Sequence, residues 1–407
     1  MTKDITNFLE IQGYIVYSFK ENSNNDLIAR IGRPNYKNIC PHCNSSKICI
    51  HSKSKWRLVK HSHFQEKQIY LEVKRNRLKC LSCKKTFSQQ LPHIPKYSRK
   101  SINFEIQSLN YLSKNSFKEV GLVNKISYSS LKNQLYHYVD PFKLTLKKLE
   151  LLNQQQQIYL GFDGQSFRGQ EMILTITDVK NKQLITVLPS EKQYDLIKFL
   201  HLMPLDLRLK VKAITTDMTN KHMKILKRYF PNTKIVIDHY HVIQHSIRLM
   251  QKTRTIKQSV LNKNIPIKKE LDKNMESLSD QEKQKLLKYF LLFPDLKEAY
   301  LLKERMRSIY KITTHKKAKQ KYIQLKHDLL NSNNLNMQEL GRTLQNWQNE
   351  ILNYFQHRIT NAYTEGIHTK CKLIKRKSYG FKNVDTYVRK LILGLFPLIF
   401  VLSVHTF

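Results

Sequence analysis

The sequence predicts an α/β multidomain protein whose main domain is a mixed β-sheet with helices on its faces. Runs rich in β-branched residues alternate with amphipathic helical segments in residues 155–242. Two CxxC pairs precede this region, and a long Lys-rich helical segment follows it. With 41% hydrophobic residues, the 407-residue chain can form several domains of ~100–200 residues with sizeable cores.

The N-terminal cysteines predict a structural zinc site. Each CxxC pair places two thiolates on a tight turn, and two pairs supply the four soft ligands of tetrahedral zinc: Cys40, Cys43, Cys80 and Cys83. Residues 36–95 are therefore expected to form a zinc ribbon, after a lead-in at 1–35 without a usable motif. Some neighbouring side chains are alternative ligands, although the CxxC pairs already complete the set: Cys49, His51, His61 and His63.

Residues 100–150 predict a helix-turn-helix that binds DNA. Phe117, Val120 and Leu122 are expected to face its core, Gly121 to permit a close helix crossing, and two leucines to anchor the second helix. The side chains expected to face a DNA groove are Tyr128, Ser129, Ser130, Lys132 and Asn133. A plain helical linker is the alternative interpretation.

The order of elements in residues 155–242 predicts an RNase H-like core. Three strands, "QIYLGFDG", 171–179 and 182–189, come before a helix capped by Ser190. A strand ("KAITTDM"), a helix and a strand (234–238) complete the order β-β-β-α-β-α-β. The first and fourth strands are neighbours in that arrangement, so Asp163 and Asp217 at their ends should come together.

The remaining segments are predicted from their composition and periodicity. Residues 243–343 read as an all-α insertion, 344–395 as the last helices of the core, and 396–407 as an apolar tail. The apolar run from Leu391 to Val404 is shorter than the ~20 residues of a membrane span and contains Pro397, so a buried closing helix is expected. The polar N-terminus does not resemble a signal peptide, which favours a cytoplasmic protein.

Three carboxylates form the candidate catalytic set. Asp163 and Asp217 at strand ends and Glu365 on a distant helix can hold two Mg²⁺ or Mn²⁺ ions, whose preferred ligands are carboxylate oxygens. Lys372 and Arg376 share the helix face of Glu365. The formal net charge of +40 favours a nucleic-acid partner, with these two cations contacting phosphates.

Asp238 and His241 form a second constellation at the end of the fifth strand. They could position a water at the metals, contact a DNA end, or hold the acids in place. A purely structural hydrogen bond between the strand and the insertion is an equally good interpretation.

The order of these features resembles bacterial insertion-sequence transposases of the ISL3 type, within the DDE group. The resemblance is most specific in "ITTDM", "YFPNTKIVIDHYHVIQ" and "ITNAYTEGIHTKCKLIKRKSYGFKN". It implies a DDE triad on Asp163, Asp217 and Glu365 and an Asp-x-x-His element on Asp238 and His241. In the family this segment ends with a Tyr-Gly-aromatic-Lys/Arg-Asn motif, which residues 379–383 match.

The resemblance implies binding of double-stranded DNA at terminal inverted repeats, metal-dependent cleavage, strand transfer into target DNA, and a homodimer at the bacterial nucleoid. One alternative is a catalytically inactive, transposase-derived regulator. Gly164 replaces a second acid of the family, and His239 and Tyr240 replace Arg-Phe. Another alternative is a nuclease or junction resolvase, which has less need of a helix-turn-helix.

Overall fold

The computed structural model describes residues 2–33, 38–64 and 67–405, and of residues 2–4 the backbone alone. The chain divides into two compact units. The first comprises Met1–Asp140 and Leu373–Phe407, and the second comprises Pro141–Lys372.

The first unit begins with a short helix and a four-stranded sheet. Helix α1 spans Thr2–Phe8, and strands β1 and β2 span Ile15–Glu21 and Leu27–Gly32. The sheet has the order β1-β2-β5-β4, where β4 is Arg57–Phe64 and β5 is Lys67–Val73. Strands from the predicted lead-in thus share a sheet with strands between the two CxxC pairs, a pairing that strand periodicity does not reveal.

The cysteine pairs belong to a separate three-stranded sheet of the first unit. It consists of β3 (Ile48–Ser52), β6 (Arg77–Cys80) and β7 (Thr86–Ser88), in the antiparallel order β3-β6-β7. The hairpin β4–β5 lies between β3 and β6 in sequence. This insertion explains the long spacing between the CxxC pairs.

Helices α2 (Ile102–Lys114), α3 (Phe117–Val123) and α4 (Tyr128–Tyr138) follow, each with a serine N-cap. Ser hydroxyls at this position accept backbone N–H groups that the helix leaves unpaired. The predicted closing helix is instead two helices, α17 (Val384–Leu395) and α18 (Leu398–Leu402), because Pro397 lies between them. Among the described residues, no helix combines the length and apolarity needed to cross a bilayer.

The second unit is built on a five-stranded sheet that follows helix α5 (Pro141–Asn153). Its strand order is β10-β9-β8-β11-β12, with β11 parallel to both β8 and β12 and the other pairs antiparallel. The predicted adjacency of the first and fourth strands is confirmed. The strands are Ile158–Arg168 (β8), Glu171–Asp178 (β9), Gln183–Leu188 (β10), Val211–Thr216 (β11) and Lys234–Ile237 (β12).

Helices α6 (Gln193–Leu202), α7 (Leu205–Leu209) and α8 (Met223–Tyr229) connect these strands. The predicted cap of α6 is wrong, since the N-cap is Lys192. The Ser190 hydroxyl accepts the backbone N–H of Lys192 and donates to Asp195. Leu160, Phe162 and Ile176 pack in a core with residues of these helices.

The described residues 239–346 contain helices and no strand, in agreement with the predicted all-α insertion. Their core is continuous with Ile237 at the end of β12 and with Phe355. Two helices then close the unit, α15 (Gln348–His357) and α16, which spans Ala362–Lys377. The insertion helices are α9 (His239–Leu261), α10 (Lys268–Asp272), α11 (Asp280–Leu292), α12 (Pro294–Tyr310), α13 (His315–Leu330) and α14 (Leu335–Asn346), with one 3₁₀ turn at Met275–Ser277.

Candidate active site

The parallel pairing of β8 and β11 brings two acids together. Phe162 pairs with Thr216, Asp163 follows Phe162, and Asp217 follows directly after β11. The predicted position at a strand end is confirmed for Asp217 and is wrong for Asp163, because β8 continues to Arg168 and pairs there with β9. One ligand atom from each aspartate and one from His241 all lie within 4.8 Å of one another. This is the separation expected of groups that share a cation.

His241 lies in the first turn of α9, which begins directly after β12. Its Nε2 is 2.7 Å from Asp217 Oδ1. The pKa of His241 is raised, mainly by this hydrogen bond to Asp217. His241 therefore lies in direct contact with the Asp217 carboxylate.

Asp163 is 6% exposed and lies among other acids. Burial, followed by the charge of Asp217, raises its pKa to about 7, with a smaller contribution from Glu365. A nearby divalent cation would favour the ionised carboxylate instead. Carboxylate oxygens that converge on a buried position fit Mg²⁺ or Mn²⁺.

Glu365 lies in the first turn of α16 and is partly exposed. Its carboxylate is outside the group of ligand atoms within 4.8 Å, although its charge reaches Asp163. The structure thus brings Asp163, Asp217 and His241 together and places the third predicted acid nearby.

Asp238 connects the sheet to the start of α16. Its carboxylate is 1% exposed and accepts hydrogen bonds from the backbone N–H of Tyr240 (3.0 Å) and of Asn361 (2.6 Å). Burial acts to raise the pKa of Asp238, but the hydrogen bonds from His239, Tyr240 and Asn361 outweigh it and lower the pKa. The bond to Tyr240 is the structural link between strand and insertion that the sequence left open, and the bond to Asn361 also joins the strand to the start of α16.

Sequence reasoning missed His368, which lies one turn after Glu365 on α16. Its Nδ1 is 3.5 Å from Asp163 Oδ2, and its Nε2 is 3.0 Å from Thr175 Oγ1. Burial lowers the pKa of His368 to about 4. The i, i+3 spacing from Glu365 was the available signal, but it does not reveal which helix face meets the sheet.

The four predicted zinc ligands converge in the first unit. Cys40 Sγ lies 3.6 Å from Cys83 Sγ, Cys43 Sγ lies 3.6 Å from Cys80 Sγ, and the set falls within 4.8 Å. Zn–S bonds of ~2.3 Å in a tetrahedron require sulfur atoms about this far apart. The alternative ligand His61 is instead buried between Ser101 and the carbonyl of Leu9.

Comparison with known proteins shows two family matches. A family model described as a transposase, of the ISL3 DDE type, matches residues 160–391. The chain belongs to the ISL3 family of transposases. A model described as the zinc-finger of transposase IS204/IS1001/IS1096/IS1165 matches residues 37–83, which supports a structural zinc at the four cysteines.

The ISL3 match is accompanied by a relative that aligns with most of the chain. The transposase for insertion sequence element IS1001 of Bordetella parapertussis is 19% identical over 362 residues, which cover 87% of each chain. Family membership makes the chain a transposase enzyme that cleaves DNA and transfers strands, and it implies a divalent metal.

Helices α3 and α4 of this ISL3 transposase form the predicted helix pair. Phe117 and Val120 are buried as expected, but Leu122 is 71% exposed, so that core prediction is wrong. A Cβ on Gly121 would lie 3.0 Å from the carbonyl oxygen of Ile126, which confirms a close approach. The DNA-facing candidates divide by exposure: Tyr128, Ser129 and Asn133 are exposed, whereas Ser130, which Lys100 contacts, and Lys132 are partly buried.

Gly164 of the transposase makes room for another acid. An ideal Cβ at Gly164 would lie 1.6 Å from Glu191 Oε1. Glu191 also pairs with Lys221 at 3.0 Å. A carboxylate from a different segment thus occupies the space beside residue 164.

Proposed function

We propose that this transposase cuts the ends of its insertion sequence and joins them to target DNA with a DDE triad of Asp163, Asp217 and Glu365. The observation that carries the proposal is the convergence of Asp163 and Asp217, with His241, within 4.8 Å where the parallel pairing of β8 and β11 ends. The five-stranded order β10-β9-β8-β11-β12 supports an RNase H-like core.

The three acids would hold two Mg²⁺ or Mn²⁺ ions. When bound, such ions stabilise the charge on the attacking and leaving oxygens of an in-line displacement at phosphorus. The chain contributes preorganisation. Asp163 and Asp217 are fixed by adjacent strands, and Glu365 comes from a helix that Asp238 fastens to the sheet.

Asp238 and His241 would be accessory residues of this site. Asp238 positions the start of α16 through the Asn361 amide, and His241 orients Asp217 through its 2.7 Å contact. Neither role requires direct contact with DNA.

The zinc ribbon and helices α3 and α4 would recognise the terminal inverted repeats. Residues of α4 would enter a groove as a helix-turn-helix, while the net charge of +40 supplies sequence-independent affinity for phosphates. Lys372 and Arg376 are exposed on α16 and would contact phosphates near the scissile bond. Two element ends must be joined together, so a homodimer acting at the bacterial nucleoid is proposed.

The test is Mg²⁺- or Mn²⁺-dependent cleavage and strand joining on a duplex that carries the element's inverted repeat. Asp163→Asn should reduce the rate by several orders of magnitude at unchanged DNA affinity. Asp178→Asn is the matched control. Asp178 is likewise a buried carboxyl group of the same sheet, but its oxygens accept the backbone and side-chain N–H groups of Asn181.

Specific binding without cleavage by the wild-type chain would indicate the transposase-derived regulator instead. Cleavage without joining of the 3′-hydroxyl to target DNA would indicate the nuclease or resolvase.

A further inference from the structure

The imidazole of His368 contacts two neighbouring side chains of the sheet, one through each ring nitrogen. Asp163 on β8 and Thr175 on β9 are partners in the antiparallel register, so their side chains lie on the same face. His368 Nδ1 is 3.5 Å from Asp163 Oδ2, and Nε2 is 3.0 Å from Thr175 Oγ1. A residue of α16 thereby contacts both strands beside the candidate metal centre.

Hydrogen-bond chemistry assigns the role of each ring nitrogen. An ionised carboxylate only accepts, and a neutral imidazole has one donor and one acceptor nitrogen. When a bound cation keeps Asp163 ionised, the Nδ1–H group of His368 faces Asp163 and Nε2 accepts the Thr175 hydroxyl. Thr175 is 0% exposed and His368 is 7% exposed, which leaves little room for water to replace either contact.

We propose that His368 is a positioning residue: oriented by Thr175, it fixes the direction of the Asp163 carboxylate for metal binding. The inference rests on the proposed role of Asp163 as a metal ligand. The converging ligand atoms belong to Asp163, Asp217 and His241. His368 is not among them, because its Nδ1 faces Asp163 and its Nε2 faces Thr175.

Assembly of the site depends on helix α16, because Glu365 and His368 both belong to it. When this helix docks on the sheet, it delivers one acid and orients another. Docking and metal affinity are therefore coupled through His368.

The test is Mn²⁺ binding to the full-length, zinc-loaded chain without DNA, measured by isothermal titration calorimetry. His368→Asn retains an amide donor near the Nδ1 position, whereas His368→Gln places its amide near Nε2 and loses the donor toward Asp163. We expect His368→Gln to weaken Mn²⁺ binding about 10–100-fold, and His368→Asn, which keeps the donor toward Asp163 but not the contact with Thr175, to weaken it less. Thermal unfolding in Mn²⁺-free buffer verifies that each variant is folded.

Two threonine variants separate positioning from helix docking. Thr177 Oγ1 lies 2.7 Å from Thr364 Oγ1, so it also fastens α16 to β9. We expect Thr175→Val to weaken Mn²⁺ binding strongly and Thr177→Val, which loosens α16 without touching His368, to weaken it much less. Equal losses in both, or equal losses in His368→Asn and His368→Gln, would overturn the proposal. If Asp163→Asn leaves Mn²⁺ binding intact, the proposed metal site itself fails.

Discussion

Asp163 is protonated more easily than an ordinary aspartate when no cation is bound. Its pKa is raised to about 7 because the carboxyl group is buried and lies near Asp217, with Glu365 adding to the effect. Without a divalent ion, and between pH 3.8 and about 7, Asp163 keeps its proton in the folded chain and loses it in the unfolded chain. The contribution of Asp163 to stability therefore falls as pH rises from the ordinary pKa of 3.8 to about 7.

Asp163→Asn removes this penalty and should stabilise the Mg²⁺-free protein at pH 8. The gain in free energy of unfolding should be on the order of 1–4 kcal/mol and should shrink toward pH 5. Urea denaturation at both pH values measures it. Addition of Mg²⁺ should favour the wild type instead, and a gain independent of pH would contradict the explanation.

Gly164 is required by its neighbour Glu191, whose carboxylate lies where a side chain at residue 164 would begin. Gly164→Asp should displace Glu191 from its place beside Lys221 and add a repelling carboxylate, with a loss of about 1–3 kcal/mol in stability. Combining it with Glu191→Ala should recover most of that loss, because both the clash and the repulsion disappear. A double-mutant cycle by urea denaturation measures the coupling, and additive effects would contradict it.

Helix α16 is the element on which the site depends. Three polar contacts fasten it to the sheet: Asp238 to the Asn361 amide, Thr177 to Thr364, and Thr175 to His368. Each contact is buried, so its loss leaves an unsatisfied group. The position of Glu365 is thus determined by side chains that are remote in sequence.

Asp238→Ala should loosen this helix. The variant removes the acceptor of the Asn361 amide and the N-cap of α9, at a cost of about 2–4 kcal/mol. Hydrogen exchange should show faster exchange of the Asn361 amide. Asn334→Ala is the control, since Asn334 caps α14 in the same unit. Comparable loss of protection at Asn361 in both variants would contradict a specific role for Asp238.

The net positive charge of the whole molecule governs its affinity for DNA. With a net charge of +40, most affinity for DNA should come from phosphate contacts and should fall steeply with salt. The exposed face of α16 is expected to supply two of these contacts, through Lys372 and Arg376.

The double variant Lys372→Ala, Arg376→Ala should reduce the slope of log K against log [salt] by about two. Fluorescence anisotropy with an inverted-repeat duplex at several salt concentrations measures this slope. Replacing the exposed Lys316 and Lys319 of α13 by Ala is the control for net charge. An equal change in the control would contradict a specific contact by α16.

The zinc ligands and the succession of strands and helices along the second unit could be predicted from the sequence, because CxxC spacing and hydrophobic periodicity are local properties. The adjacency of Asp163 and Asp217 is not local, and it could be predicted because the first and fourth strands are neighbours in an RNase H-like arrangement. Three contacts could not be predicted in this way: His368 faces Asp163, Asp238 accepts the Asn361 amide, and Glu191 lies against Gly164. Those contacts join segments far apart in the chain, and the helix face or loop that meets the sheet is set by packing, which no local pattern encodes.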